Sequence, residues 1–152
     1  MGVRAAIAKA HLPGQTPRMD EIDILPPGIE EIMAMARRVR EALPEEMRAL
    51  CAELLIRVED FADDETLAEM GMESPYELTG LYSGIPLTEK SVADQSHGPD
   101  TVYLYRRAIL EEWIERGDIG LEHLVGHVLV HEIAHHFGWT DAQLHAIEDW
   151  TL

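Results

Sequence analysis

Apolar residues recur at helical spacing in two long segments of the chain. Between Pro26 and Pro44, apolar positions three or four residues apart predict an amphipathic helix. From Asp118, a candidate N-cap, to Phe137, apolar residues lie nearly all round the helix, which predicts a central buried helix that ends at Gly138. Shorter helices are predicted at 44–50, 63–70, 74–77 and 108–116.

Three short segments have the pattern of β-strands instead. Residues 56–59 alternate apolar and charged, 81–83 form a short candidate after Gly80, and 101–105 are rich in β-branched and aromatic residues. The sequence therefore predicts an α+β fold, with helices around a small sheet of about three strands and a central buried helix.

The periodicity also suggests where the domain begins. Residues 1–25 show little periodicity and carry Pro13, Gly14 and Pro17, so we expect a mobile N-terminal tail. Residues 26–152 form a single predicted domain, since their length suffices to bury a core.

Composition narrows the possible partners. Twelve basic and 29 acidic residues give a net charge of −17, which disfavours nucleic acid because phosphate binding needs Lys and Arg. No apolar run is long enough to span a bilayer. The single cysteine, Cys51, excludes an internal disulfide and fits a reducing compartment, so we expect a cytoplasmic protein.

The negative charge is concentrated toward the C-terminus. No Lys or Arg follows Arg116, whereas six acidic residues do so: Asp118, Glu122, Glu132, Asp141, Glu148 and Asp149. Such a field would attract divalent cations and basic peptides. The alternative interpretation is an acidic surface that keeps the protein in solution.

The central helix carries a spacing typical of metal ligands. His131 and His135 are four residues apart, which places both imidazoles on one side of a helix and lets them bind the same ion. Glu132 lies just round the helix, close to where a metal-bound water would sit. Two histidines that merely pack in the core are the alternative interpretation.

A third ligand is predicted beyond the helix. Gly138 allows the chain to reverse, and Asp141, three residues later, could return its carboxylate to the metal. The whole string reads H-E-x-x-H-x-x-G-x-x-D. Two alternatives stay open: Asp141 could be an ordinary acidic residue at a helix start, and His145, one turn later, could be the ligand.

Other polar residues have weaker predictions. His127 continues the row of histidines and is either a group that supports the ligands or an ordinary histidine, whereas His136 is predicted to be a surface or packing residue. A developing oxyanion needs a further donor, and the sequence does not choose among four candidates: Tyr82, Tyr103, Tyr105 and His97.

Three protein ligands with one open position are the arrangement of catalytic zinc. We therefore predict one zinc ion (Zn2+) held by His131, His135 and Asp141, with Glu132 as the general base of peptide hydrolysis. The substrate would be a peptide or an unfolded polypeptide. A non-catalytic metal-binding or interaction protein, and a metal-free protein with structural histidines, are the competing hypotheses.

The string from His131 to Asp141 resembles the zinc signature of metzincin-type peptidases with aspartate as third ligand, as in the snapalysin group. A closer resemblance is to the zincin-like metallopeptidase family of small bacterial proteins, formerly a domain of unknown function. It covers about residues 28–152 and is carried by three segments: 80–88, 104–107 and 130–138.

This resemblance implies a minimal zincin-like fold, in which the edge strand of a small sheet lies along the active-site helix. It also implies the metal ligands His131, His135 and Asp141 and the base Glu132. Metzincins place a methionine turn after the zinc motif, but the last methionine here is Met72. Without that turn the floor of a normal specificity pocket is missing, so we expect an open cleft.

Overall fold

The computed structural model describes residues 25–90, 99–139 and 142–143. Within them, five helices surround a three-stranded sheet, which confirms the predicted α+β class. The helices are α1 (Ile29–Ala42), α2 (Glu45–Leu50), α3 (Asp64–Glu69), α4 (Arg106–Arg116) and α5 (Leu121–Phe137). The strands are β1 (Leu55–Glu59), β2 (Gly80–Ser83) and β3 (Thr101–Tyr105), and short 3₁₀ turns span Pro75–Glu77 and Leu87–Glu89. The predicted tail, 1–25, lies almost wholly outside the described residues and stays a prediction.

The sheet has the order β1-β3-β2, so β3 is central. β1 runs parallel to β3, with Leu55 opposite Thr101, and β2 runs antiparallel to it, with Gly80 opposite Leu104. On β3, Val102 and Leu104 are fully buried against the helices. β2 therefore forms one edge of the described sheet.

The chain passes from β3 into α4 without a loop. The helix starts at Arg106, two residues before the start predicted from the apolar pattern. Arg106 donates through Nε to the Pro27 carbonyl at 2.6 Å, and its other nitrogen binds the Asp60 carboxylate at 3.0 Å. Arg107 lies 5.0 Å above the Phe61 ring. These contacts fix the two arginines at the junction and account for the earlier helix start.

The predicted start of α5 at Asp118 is wrong. Gly117, in the left-handed conformation, ends α4, and the indole N–H of Trp113 donates to the Ile119 carbonyl at 2.8 Å. This bond holds residues 118–119 in the connecting turn, so Gly120 becomes the N-cap and α5 begins at Leu121. At the other end Gly138 has a φ of 68°, as predicted for a left-handed helix stop.

The core lies between α5, the sheet and α1. From α1, Ile32 and Ala36 are fully buried. Gly126 of α5 approaches the same helix so closely that a Cβ there would lie 3.0 Å from a Val39 methyl carbon. In the described part of the chain, no helix is both long and apolar enough to cross a membrane.

Candidate metal centre

Two neighbouring rows of side chains on α5 form the candidate site. The outer row is His127, His131 and His135; the inner row is Val128, Glu132 and His136, and each row repeats every fourth residue along one side of the helix. In the outer row His127 and His131 are half-buried and His135 is exposed. The inner row faces β2.

The two predicted histidine ligands lie next to each other on α5. The ring centroids of His131 and His135 are 5.8 Å apart, with an angle of 67° between the planes. Two imidazoles bound to one tetrahedral zinc at about 2.0–2.1 Å would have centroids about 5 Å apart. The ring of His127 lies 6.3 Å from that of His131, on the other side. The centroid distance between the two predicted ligands is therefore longer than this value by less than about 1 Å, and their role as zinc ligands stays a prediction.

The predicted third ligand, Asp141, lies outside the described residues, and so does its alternative, His145. The chain reverses after α5: the Gly138 N–H donates to the His135 carbonyl and the Trp139 N–H to the Ala134 carbonyl. Within 25–90, 99–139 and 142–143, no three His, Cys, Asp or Glu side chains form a metal-binding group. The structure therefore places two predicted ligands together and leaves the third untested.

Glu132 is half-buried between its helix and β2. A Cβ on Gly80 would lie 3.2 Å from the Glu132 Cγ, and the backbone N–H of Tyr82 faces the carboxylate. Burial raises the pKa of Glu132 above its ordinary value, although the charge of His131 and the Tyr82 N–H partly oppose the shift. A carboxylate with a raised pKa is better matched to accepting a proton near neutral pH.

His136 is a packing residue, one of the two roles that the sequence left open, and it is hydrogen-bonded at both ring nitrogens. Its exposed fraction is 3%. Nε2 lies 3.3 Å from the Leu50 carbonyl and Nδ1 lies 2.9 Å from the Tyr82 hydroxyl. Because a carbonyl accepts, Nε2 carries the proton of the neutral ring, and Nδ1 is then an acceptor that shares the single Tyr82 hydroxyl proton with the Ile85 carbonyl, 3.1 Å from that hydroxyl. Burial lowers the pKa of His136, which favours this neutral form.

A buried carboxylate braces the same region. Asp100 forms an ion pair with Lys90, accepts the Ile85 N–H at 3.2 Å, and lies 3.6 Å from His136 Nδ1. Gly84 allows this approach, since a Cβ there would collide with the Asp100 carboxylate and lie 2.7 Å from the Tyr82 hydroxyl. Nothing in the local sequence pattern around Asp100 or His136 indicated this network.

The buried network engages one of the four candidate oxyanion donors, Tyr82. The Tyr82 hydroxyl contacts His136 and the Ile85 carbonyl, and burial together with Asp100 raises its pKa. Its proton is therefore engaged away from the outer row. Tyr105 is buried and stacks on Tyr103, with centroids 6.3 Å apart. Burial and then neighbouring acidic groups, Glu132 being the weakest, raise its pKa to about 12. His97 lies outside the described residues. Tyr103, Tyr105 and His97 stay candidates for the donor to the oxyanion.

Comparison with known proteins bears on the same elements. A family model described as zincin-like metallopeptidase matches residues 51–151. The matched range contains the sheet, both rows of α5, the buried network and the predicted third ligand. A search of curated proteins gave no match.

Proposed function

Because the chain belongs to the zincin-like metallopeptidase family, we propose that it is a zinc-dependent peptidase acting on short or unfolded polypeptides. His131, His135 and Asp141 hold one zinc ion, and Glu132 is the general base. The observation that carries the proposal is a half-buried carboxylate, Glu132, between two histidines of one helix, His131 and His135, whose rings lie 5.8 Å apart.

When bound, zinc would make a water molecule more acidic and polarise the peptide carbonyl. The Glu132 carboxylate would take a proton from a water molecule beside it as the water oxygen attacks the peptide carbonyl carbon. It then gives the proton to the amine that leaves when the C–N bond breaks.

Within the described sheet β2 is an edge strand, and the peptide would lie along that edge. The Tyr105 N–H donates to the Thr79 carbonyl at 2.9 Å, and alternation along an antiparallel pair then directs Leu81 toward β3 and the groups of Gly80 and Tyr82 outward. An extended peptide that pairs with this edge lies beside α5, near Glu132. The net charge of −17 favours peptides with basic residues.

Glu132→Gln tests the function most directly, because it keeps size and removes the base. With stoichiometric zinc near neutral pH, hydrolysis of a pool of short fluorogenic peptides should fall roughly 10²–10⁴-fold. Zinc affinity should stay within about tenfold, since the ligands are intact. Glu122→Gln is the matched control, because Glu122 is an exposed carboxylate on the same helix, paired with Arg38.

Equal hydrolysis by wild type and Glu132→Gln would contradict the role of Glu132. A wild type that holds zinc tightly but cleaves no peptide in a broad pool would instead be a non-catalytic metal-binding protein. A wild type that binds no zinc would leave the histidines with a structural role.

The third ligand needs its own test. Asp141→Ala should weaken zinc binding far more than His145→Ala, because Asp141 follows the left-handed turn at Gly138 by three residues and His145 by seven. Competition with a chromophoric chelator measures both affinities. An equal loss, or a larger loss for His145→Ala, would transfer the ligand role to His145.

A further inference from the structure

The inner row of α5 holds β2 at successive turns of the helix. A Cβ on Gly80 would lie 2.7 Å from a Val128 methyl carbon and 3.2 Å from the Glu132 Cγ. The Tyr82 N–H faces the Glu132 carboxylate, and the Tyr82 hydroxyl lies 2.9 Å from Nδ1 of His136. Tyr82 is thus held through its backbone by one helix residue and through its side chain by the residue one turn later.

His136 is itself fixed from both sides. Its Nε2 is bonded to the Leu50 carbonyl, and the buried Asp100 carboxylate lies 3.6 Å from its Nδ1. Lys90 pairs with the same carboxylate. The ring therefore has one favoured orientation, and the position of the Tyr82 hydroxyl follows from it.

We propose that Tyr82 and His136 form a clamp that fixes the register of β2 along α5, and that His136 is thereby a positioning residue for Glu132. For its effect on peptide cleavage the proposal rests on the proposed function. In the described sheet β2 pairs with one neighbour, β3, so its contacts with α5 add to the hydrogen bonds that hold its register. A displacement of about 1 Å at a reacting group costs on the order of 10² in rate.

Four variants separate the clamp from a general loss of stability. Tyr82→Phe removes the hydroxyl but keeps the ring and the backbone N–H. His136→Leu removes both hydrogen bonds, whereas His136→Asn keeps an acceptor close to the position of Nδ1. Trp113→Phe is the matched control, because it removes one aromatic hydrogen bond, to the Ile119 carbonyl at 2.8 Å, away from β2.

Native-state hydrogen exchange of the metal-free protein tests the clamp without an activity assay, because it measures how often the backbone amides of β2 open to solvent. The amides of Leu81 and Ser83, which pair with β3, should exchange roughly tenfold faster in Tyr82→Phe and His136→Leu, beyond the change in global unfolding. In His136→Asn and Trp113→Phe, the exchange rates of these two amides should change only as much as the change in global unfolding free energy requires. If exchange in Tyr82→Phe also follows global unfolding, the clamp does not exist.

Hydrolysis kinetics on the fluorogenic peptide pool then test whether His136 positions Glu132. With zinc affinity within a few-fold of wild type, kcat should fall about 10–100-fold in Tyr82→Phe and His136→Leu and recover largely in His136→Asn. A kcat that Trp113→Phe lowers equally, or that Tyr82→Phe leaves unchanged, would overturn that role. A wild type without peptidase activity would contradict the proposed function and the positioning role together, while the exchange data would still decide whether the clamp exists.

Discussion

The outer and inner rows of α5 are one residue apart in sequence and serve different ends. His131 and His135 of the outer row are half-buried or exposed, where an ion or a substrate can reach them. Val128 and His136 of the inner row are buried against β2 and its loop. Glu132 lies between these two in the inner row, is half-buried, and borders the outer row.

The difference teaches how one helix can combine reactivity with precision. Side chains that bind an ion need access, and therefore contribute little to packing. Side chains that set the position of a strand need burial, and their polar atoms must then be paired inside the protein. On α5 the two requirements fall on adjacent rows, so substitutions of neighbouring residues should have opposite consequences.

The largest predicted effect separates His135 from its neighbour His136. His135→Ala should lower zinc affinity more than about 100-fold, because removing a ligand costs more than removing its support. The unfolding free energy of its metal-free form should change by less than about 0.5 kcal/mol, since the side chain is exposed. His136→Leu should show the reverse pattern in chelator competition and urea unfolding. If both variants changed zinc affinity and unfolding free energy to a similar extent, the proposed difference between the two rows would be wrong.

The next prediction tests the contact between the inner row and β2. Gly80→Ala should lower the unfolding free energy by about 1–3 kcal/mol, because the new Cβ meets Val128 at 2.7 Å and the Tyr103 carbonyl at 3.3 Å. In an unobstructed strand the same change would stabilise by about 0.5–1 kcal/mol. Gly120→Ala is the control, as its Cβ meets open space. A stabilising Gly80→Ala would show that the strand stands farther from the helix.

The smallest predicted effect is a pH dependence from the inner row. His136 has a lowered pKa in the folded state, so below the ordinary value of 6.5 the unfolded chain binds a proton that the folded protein lacks. Stability should therefore fall as the pH falls from 6.5, by at most about 1.4 kcal/mol per unit from this group. Urea unfolding of metal-free protein between pH 7.5 and 5 measures it, and His136→Leu should have the shallower dependence. An equal slope in both proteins would contradict the assignment.

The outer row could be predicted because its information is local. A repeat of four residues puts His131 and His135 on one side of any helix, whatever surrounds that helix. The strands and the stop at Gly138 likewise follow from patterns a few residues long. The α+β class and the proximity of the two histidine rings could therefore be predicted from the sequence alone.

The contacts between the inner row and β2 could not be predicted, because the contacting residues are distant in sequence. Tyr82 and His136 are separated by 54 positions, and no spacing rule connects them. The start of α5 was misjudged for the same reason: Asp118 has the right side chain for a cap, but a bond from Trp113 to Ile119 determines where the helix begins. Tertiary contacts outweighed local preference at both positions.

The packing of α1 has a consequence for how small a working protein can be. The family match begins at residue 51, yet Ile32 and Ala36 of α1 are fully buried and Val39 contacts Gly126 on the far side of α5 from the inner row. A chain cut at residue 51 would expose that apolar surface of α5 to water, and such surfaces aggregate. We therefore expect the smallest autonomous folding unit to include α1, so that the histidine-bearing half of α5 depends on a helix that contributes packing alone to the proposed site.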